Sequence, residues 1–448
     1  MPNQFTASLW GDEGFSAILS MKPISEIVKI IIRDTSPPLY NISEHLWFQI
    51  FGTSEIAIRS LSFFYYCLAI FFVYKIGEYL YGRNTGLLAA ALSFFNPFFF
   101  IYAFEGRMYS ILALGVIASN YFFIKILFSK FTRKTPFPFL NIICYALATA
   151  WALYSHHFGI FMIFIQGLWF LFTLLKREFK KSLFIFLGLA IAALFYTPWL
   201  TPLYNQTKMV GSGFWLGTPT VKDLGKLILE YLAAGIKHNL ATWAVVVCLV
   251  AFILRTWNTK KLSTIFLLTW FLGPILLTWT VSQFFQSIFY NRYLLYAIPG
   301  AMLLVASNRR KYLSVIILGI LLGLFVRIDH YYFFHPTKRP FREFAAYVKE
   351  VKRGDDYLIN WNAGSHHLWE TKYYQIPSPI YIPNKGELPF FVGTALMTKE
   401  DIVSSIPKKI NRVGVITSGN VDEINVSGYP KKGEPVIYGD LKFLWLEK

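Results

Sequence analysis

The sequence predicts an α-helical polytopic membrane protein of about ten spans, with a small α/β domain at its C-terminal end. Three observations predict it. Of 448 residues, 55% are hydrophobic and only 15% are charged, with a mean hydropathy of +0.44. A soluble domain averages about 25% charged residues. Apolar runs of spanning length follow one another from residue 56 to residue 328. The Lys and Arg residues behind the net charge of +18 sit in short clusters between those runs. That is the pattern of cytoplasmic loops, so nucleic acid is excluded as a partner.

The expected spans are 56–80, 85–104, 107–128, 138–155, 157–175, 183–200, 239–257, 262–281, 293–307 and 312–328. Residues 135–175 contain no Asp, Glu, Lys or Arg and are too long for one crossing. Ser155-His156-His157-Phe158-Gly159 therefore reads as the turn of a helical hairpin. Basic residues mark every second loop: Lys75 and Arg83, Lys125 to Lys134, Lys176 to Lys181, Arg255 to Lys261, and Arg309 to Lys311. Those loops are expected in the cytoplasm. The alternate loops, with residues 1–55 and the C-terminal domain, are then external. An external N-terminal segment needs a way across, so a first transmembrane helix is expected upstream of the sequence given. The division is 1–330 for the membrane domain, with external segment 1–55, and 331–448 for the outer domain.

Ile24, Ile27, Val28, Ile31 and Ile32 recur at helical spacing within 14–33, which suggests a helix lying in the interface. Residues 201–238 form a long external segment rich in Gly and aromatics, suited to closing over a substrate. In the outer domain, helices are expected at 341–352, 364–375 and 399–405. Strands are expected at 357–360, 380–382 and 412–417, and a strand or hairpin over 436–446. Cys67, Cys144 and Cys248 lie in apolar runs and read as small core residues. Neither a G-x-G-x-x-G nor a P-loop is present.

Carboxylates are costly at a membrane surface and are more often functional than decorative. Asp12 and Glu13 follow Trp10-Gly11 in the first external segment, and Asp34 precedes Pro37-Pro38-Leu39-Tyr40. An enzyme that joins an acceptor hydroxyl to a phosphate-activated donor needs a base near the hydroxyl and cations at the leaving phosphate. Asp12 suits the first role. Arg59, Arg107, Arg292, His156 and His157 suit the second. Each residue also has a plainer reading. Asp12 and Glu13 can cap a helix, and Glu105 can pair with Arg107 in their short turn. The two histidines can be turn residues, and Arg292 an interfacial anchor. His366 and His367 read as surface histidines.

Taken together, Trp10-Gly11-Asp12-Glu13, Asp34-x-x-Pro37-Pro38-Leu39-Tyr40, Phe51-Gly52-Thr53-Ser54-Glu55 with Arg59-Ser60, Tyr81-Gly82-Arg83 and Glu105-x-Arg107-Met108-Tyr109 stand in an order that resembles GT-C class membrane glycosyltransferases. The pattern looks most like the bacterial group of protein O-mannosyltransferases, aminoarabinose transferases and core galacturonic acid transferases. The resemblance implies inverting transfer of a sugar from a polyprenyl-phosphate carrier to a lipid, glycan or protein hydroxyl, on the external face. It makes Asp12 the catalytic carboxylate and Glu105 the second acidic position, and leaves a divalent metal open. Glu13, Asp34, Tyr40 and Tyr109 are the further candidates. Many relatives carry a basic residue or histidine directly before Pro-Pro; this chain has Ser36. The rival readings are a lipid-linked glycan transporter or flippase, and a membrane scaffold with a sensing outer domain. A transporter usually carries midplane charges and repeated halves. This chain keeps its acids in external loops and shows no repeat.

Overall fold

In a computed structural model the described residues are 2–448, apart from 133–135, 234–242, 244, 248, 251, 253–260, 309–311, 363–365, 384–385 and 387. The expected span 239–257 lies mainly outside them. The chain divides into two compact units. A helical unit comprises Thr35–Tyr40 and Arg59–Phe333. A sheet unit comprises Met1–Asp34, Asn41–Ile58 and Phe334–Lys448. One division falls at 333–334, and the two N-terminal pieces group with the C-terminal part.

In order, the helices are α1 Gly11–Ser20, α2 Ile24–Ile31, α3 Leu39–Phe51, α4 Glu55–Tyr81, α5 Arg83–Phe94, α6 Pro97–Ile101, α7 Tyr109–Phe128, α8 Phe139–Ser155, α9 Gly159–Leu175, α10 Phe179–Tyr196, α11 Leu200–Gly211 and α12 Val221–Ala233. They continue as α13 Lys261–Phe284, α14 Ile298–Ala306, α15 Tyr312–Phe334, α16 Phe341–Val351 and α17 Leu368–Tyr373. Among the described residues, five stretches are long and apolar enough to cross a membrane: Glu55–Tyr81, Tyr109–Phe128, Phe179–Gly211, Leu262–Phe284 and Ser314–Phe334. The stretch expected as one span over 85–104 is broken, with α5 and the Pro97–Phe104 segment at 59°. Sequence explains the break. Asn96 accepts a hydrogen bond from Phe99 N (3.0 Å), and Pro97 takes the first helical position. The expected span 293–307 opens on two 3-10 turns, Asn291–Tyr293 and Leu295–Ala297, and is α-helical only from Ile298, in α14.

Small residues and buried polar side chains join these helices, as they do where lipid supplies no hydrophobic drive between helices. Gln166 donates to Ser119 Oγ (3.0 Å) and Asn120 Oδ1 (2.9 Å), and accepts from the Tyr145 hydroxyl (2.9 Å). That network ties α7, α8 and α9. Trp169 on α9 donates to Thr269 on α13 (3.0 Å). Gly115 lets α7 touch α8. A Cβ there would lie 2.7 Å from Ala152 N and 2.8 Å from its Cα, and backbone cannot yield cheaply. Gly115→Val is therefore expected to lower the unfolding temperature in detergent, with an overpacking cost of about 1–3 kcal/mol. Gly319→Ala, where an added Cβ meets nothing within 4 Å, is the control. Equal unfolding temperatures for both variants would sink the close-packing account.

The sheet unit is α/β. Its strands are β1 Tyr357–Asn360, β2 Ile380–Tyr381, β3 Ile402–Val403, β4 Arg412–Thr417, β5 Lys431–Lys432, β6 Val436–Tyr438 and β7 Leu441–Glu447. Their order is β3-β2-β1-β4-β7-β5, with β6 also on β7. The first four run parallel, and β7 is antiparallel to β4 in the register Arg412↔Glu447. The helix expected over 399–405 is instead a single 3-10 turn, Lys399–Asp401, followed by β3. Thr398 and Asp401 form a capping box that starts the turn, and the backbone turns extended at Ile402. The helix expected within 14–33 is two, α1 and α2, separated at 21–23, where Pro23 cannot continue α1.

One face of the sheet buries Phe341, Phe344 and Val348 of α16 with Leu9, Ala17 and Phe48 from the N-terminal pieces. Polar links reinforce this. Leu9 N donates to the Tyr374 hydroxyl (2.8 Å), Arg342 reaches Thr6 O (2.6 Å) and Glu55 (2.7 Å), and Lys338 pairs with Glu13 (3.0 Å). Gly14 allows α1 to lie on α17: a Cβ there would come within 3.1 Å of the Trp369 carbonyl carbon.

Candidate active site

The helical unit contains a cavity of about 350 Å³. Its apolar wall includes Leu153, Phe158, Phe161, Leu203, Val210 and Phe214, and its polar wall Ser36, Arg107, His156, His157, Gln206 and Tyr293. Sequence builds each part locally. α8 ends at Ser155, and Gly159 opens α9, so His156 and His157 sit in the expected hairpin turn. Tyr296 secures that turn by donating its hydroxyl to Phe158 O (2.8 Å). Arg107 lies in the short turn before α7, where its N–H donates to Glu105 O (2.7 Å). α11 brings Leu203, Gln206, Thr207 and Val210, so part of the long segment expected to close over a substrate lines the cavity.

The histidines are held by specific bonds. His157 Nε2 donates to Gln206 Oε1 (2.8 Å), and its Nδ1 accepts from the Tyr196 hydroxyl (3.3 Å). Gln206 in turn donates to Ser36 O (3.4 Å). His156 Nδ1 accepts from Phe158 N (3.1 Å), which leaves Nε2 as the protonated nitrogen of a neutral ring. His156 also stacks on Tyr293, with ring centres 4.5 Å apart. Arg292 lies over Tyr290 (4.8 Å) and Tyr109 (5.7 Å), and so closes an aromatic and cationic cluster.

Burial sets the charge of both rings. It pushes His157 down to about 4. It pushes His156 well below 6.5, helped by His157 and by the positive charges of Arg107 and Arg292. The expectation that His156 and His157 act as cations is corrected here: at neutral pH they are neutral, with hydrogen bonds to give but no charge. The unfolded chain protonates its histidines near 6.5, and the folded chain resists. Protons therefore favour unfolding below that value, and stability is complete above it. It falls as pH drops from 6.5 towards 4. In His157→Gln the loss of thermal stability between about pH 7 and 4.5 is expected to shrink. An unchanged loss would remove His157 from the acid response.

The remaining candidates fall as follows. Arg107, His156 and His157 line the cavity, and Tyr109 and Arg292 belong to the cluster beside it. Glu105 is 9% exposed in the Arg107 turn, Tyr40 is buried on α3, and Arg59 is fully buried on α4. Asp12, Glu13 and Asp34 belong to the sheet unit. Asp12 is half-buried in the first turn of α1, and Asp34 follows α2. Glu13 is fully buried and paired with Lys338, a structural use of that carboxylate. His366 and His367 are not surface residues: His367 is 2% exposed beside Glu370 (3.4 Å), and burial pushes His366 down to about 4. Gln206 and Tyr196, which fix His157, went unforeseen. A lone Gln in a run of mixed polarity carries no local signal. Among the described residues no group of three or more His, Cys, Asp or Glu could hold a metal ion.

This combination of a bundle of apolar helices and a small α/β unit has counterparts of similar fold among solved structures. Residues 35–201 match the family described as dolichyl-phosphate-mannose-protein mannosyltransferase. The fold is similar to that of ArnT from Cupriavidus metallidurans bound to undecaprenyl phosphate, at 13% identity and a TM-score of 0.63, over 99% of this chain and 95% of that one. The same protein in its apo state gives 12% identity and a TM-score of 0.57 over the same shares. The Archaeoglobus fulgidus oligosaccharyltransferase in complex with Zn and sulfate gives 12% identity and 0.50, over 91% of this chain and 64% of that one. No curated protein matches the chain significantly.

Proposed function

We propose that this chain transfers a sugar from a polyprenyl-phosphate carrier to a hydroxyl acceptor, with inversion, on the external face of a membrane. One observation carries the reading: within a GT-C fold, a largely apolar cavity has Arg107 and two neutral histidines at its polar wall. An apolar chain with an anionic phosphate head suits both walls. The relative bound to undecaprenyl phosphate supports the same donor class.

In this reading the membrane domain spans 1–330, and 331–448 is the outer domain. Asp12 takes the proton of the acceptor hydroxyl as its oxygen attacks the anomeric carbon. The bond from that carbon to the carrier phosphate breaks, and its electron pair leaves with the phosphate. Arg107, with Arg292 and Arg59 as further candidates, stabilises the charge that develops there. His156 and His157 supply neutral hydrogen bonds. Glu105 is the second acidic position. Asp34, Tyr40 and Tyr109 remain candidate contacts.

The test is direct. Purified protein in lipid nanodiscs is supplied with labelled polyprenyl-phosphate sugars and an extract of envelope lipids, glycans and proteins. Protein-dependent release of polyprenyl phosphate, with label in an acceptor, is the expected result. Transfer from a nucleotide sugar with no lipid carrier present would overturn it.

A further inference from the structure

A second cavity, of about 420 Å³, lies on the other side of the same two segments that wall the first. Phe214 and Leu216 face the first cavity, and Gly217, Thr218 and Pro219 the second. Ile288 and Tyr293 likewise line the first, while Phe289, Tyr290 and Asn291 line the second. The chemistry changes across this partition. The second cavity adds Asp223, Lys226 and Glu230 from α12. It carries carboxylates, an amide, an ammonium and the side of a tyrosine, where the first carries an arginine, imidazoles and an apolar wall.

The polar side chains are held in place. Asn291 Nδ2 donates to Glu230 Oε2 (3.1 Å), and Lys226 approaches the other Glu230 oxygen (3.9 Å). Asp223 accepts from Thr220 N (2.8 Å) and Oγ1 (2.7 Å), fixing the start of α12. The partition is fixed too. Gln286 donates to Phe214 O (3.2 Å), Gln283 to Pro219 O (2.8 Å), and Trp279 to Thr220 O (3.1 Å). The Tyr231 hydroxyl donates to Asn291 O (2.5 Å). Tyr290 is set by Trp215 at its edge (5.1 Å) and by Arg292 (4.8 Å).

We propose that this second cavity is a sugar-ring subsite. Carboxylates accept hydrogen bonds from hydroxyls, the Asn291 amide can donate and accept, and Tyr290 offers an aromatic surface to ring C–H groups. Two carboxylates against one lysine make the cavity net negative, so it disfavours phosphate. A sugar ring has the hydroxyls to use these groups and no charge to repel. The inference rests on the glycosyltransferase reading for what the ring does, and the ring comes from either the donor or the acceptor. The partition then separates a phosphate end from a sugar end, with Arg292 lying between Tyr290 and Tyr293 in sequence.

The experiment uses the full chain in nanodiscs and a panel of methyl glycosides: hexose, pentose, uronic acid and amino sugar. Saturation-transfer NMR on the wild type is expected to show binding of at least one. Glu230→Gln and Tyr290→Leu are each expected to weaken it by about tenfold, as the loss of a charge-assisted hydrogen bond in the first and of an aromatic contact in the second implies. Binding of none, or equal binding by wild type and both variants, overturns the subsite. Kinetics assign the ring's source. A rise in KM for the polyprenyl-phosphate sugar alone assigns the donor, and a rise for the acceptor alone assigns the acceptor. A wild type that transfers nothing from any polyprenyl-phosphate sugar defeats the proposed function, while the glycoside binding still decides the subsite.

Discussion

Asp12→Asn is expected to lower turnover from polyprenyl-phosphate sugars by roughly 10²-fold or more, the range lost with a general base. The substitution keeps the shape and one acceptor oxygen but removes the basic form. The half-buried position in the first turn of α1 leaves folding largely untouched. The neighbouring carboxylate supplies the contrast. Glu13 is fully buried and paired with Lys338, so Glu13→Gln removes a buried ion pair and is expected to act on stability rather than on chemistry. Unfolding temperature and kcat, measured on both variants, separate these effects. Near wild-type transfer by Asp12→Asn would leave Asp12 as a helix-capping residue and the mechanism without its base.

Arg107→Lys is expected to cost about as much by a different route. A guanidinium can meet a phosphate with two parallel hydrogen bonds, and a lysine offers only a point charge. Removing one preorganised donor to a developing anion typically costs about 10²-fold or more in kcat. The loss should appear in kcat/KM for the lipid-linked donor and should leave KM for the acceptor unchanged. The same exchange at Arg292 tests whether its place between two tyrosine rings is a binding role or a packing one. Wild-type donor kinetics in Arg107→Lys would take the turn before α7 out of the phosphate site.

The helices were legible because their signal is local. An apolar run such as Tyr109–Phe128 needs no partner to declare itself, and the absence of charge over 135–175 forced a hairpin whose turn falls at the two histidines. The basic turn residue Arg107 and the histidines were legible for the same reason. Their charge state was not, because it depends on burial by side chains distant in sequence. Gln206 lies 49 positions from His157, and no spacing rule links them. The broken span at Asn96-Pro97 carried a visible cap and proline, yet the apolar run outweighed them. The segment from Lys399 looked helical from composition, and its Thr398–Asp401 capping box is a helix-start signal, yet the chain leaves the turn at Ile402 to pair as β3.

The sheet unit has a consequence for how the protein is made. Leu9 and Ala17, on either side of Asp12, share their core with Leu441 and Phe443 of β7, far later in the chain. The N-terminal piece thus emerges long before the strand whose core it shares. Until β7 emerges, Leu9 and Ala17 lack part of their core. A chain interrupted late in synthesis would hold every apolar helix described here and still lack the support for its proposed base. Messages cut short before the codons for β7 should therefore yield inserted but inactive protein.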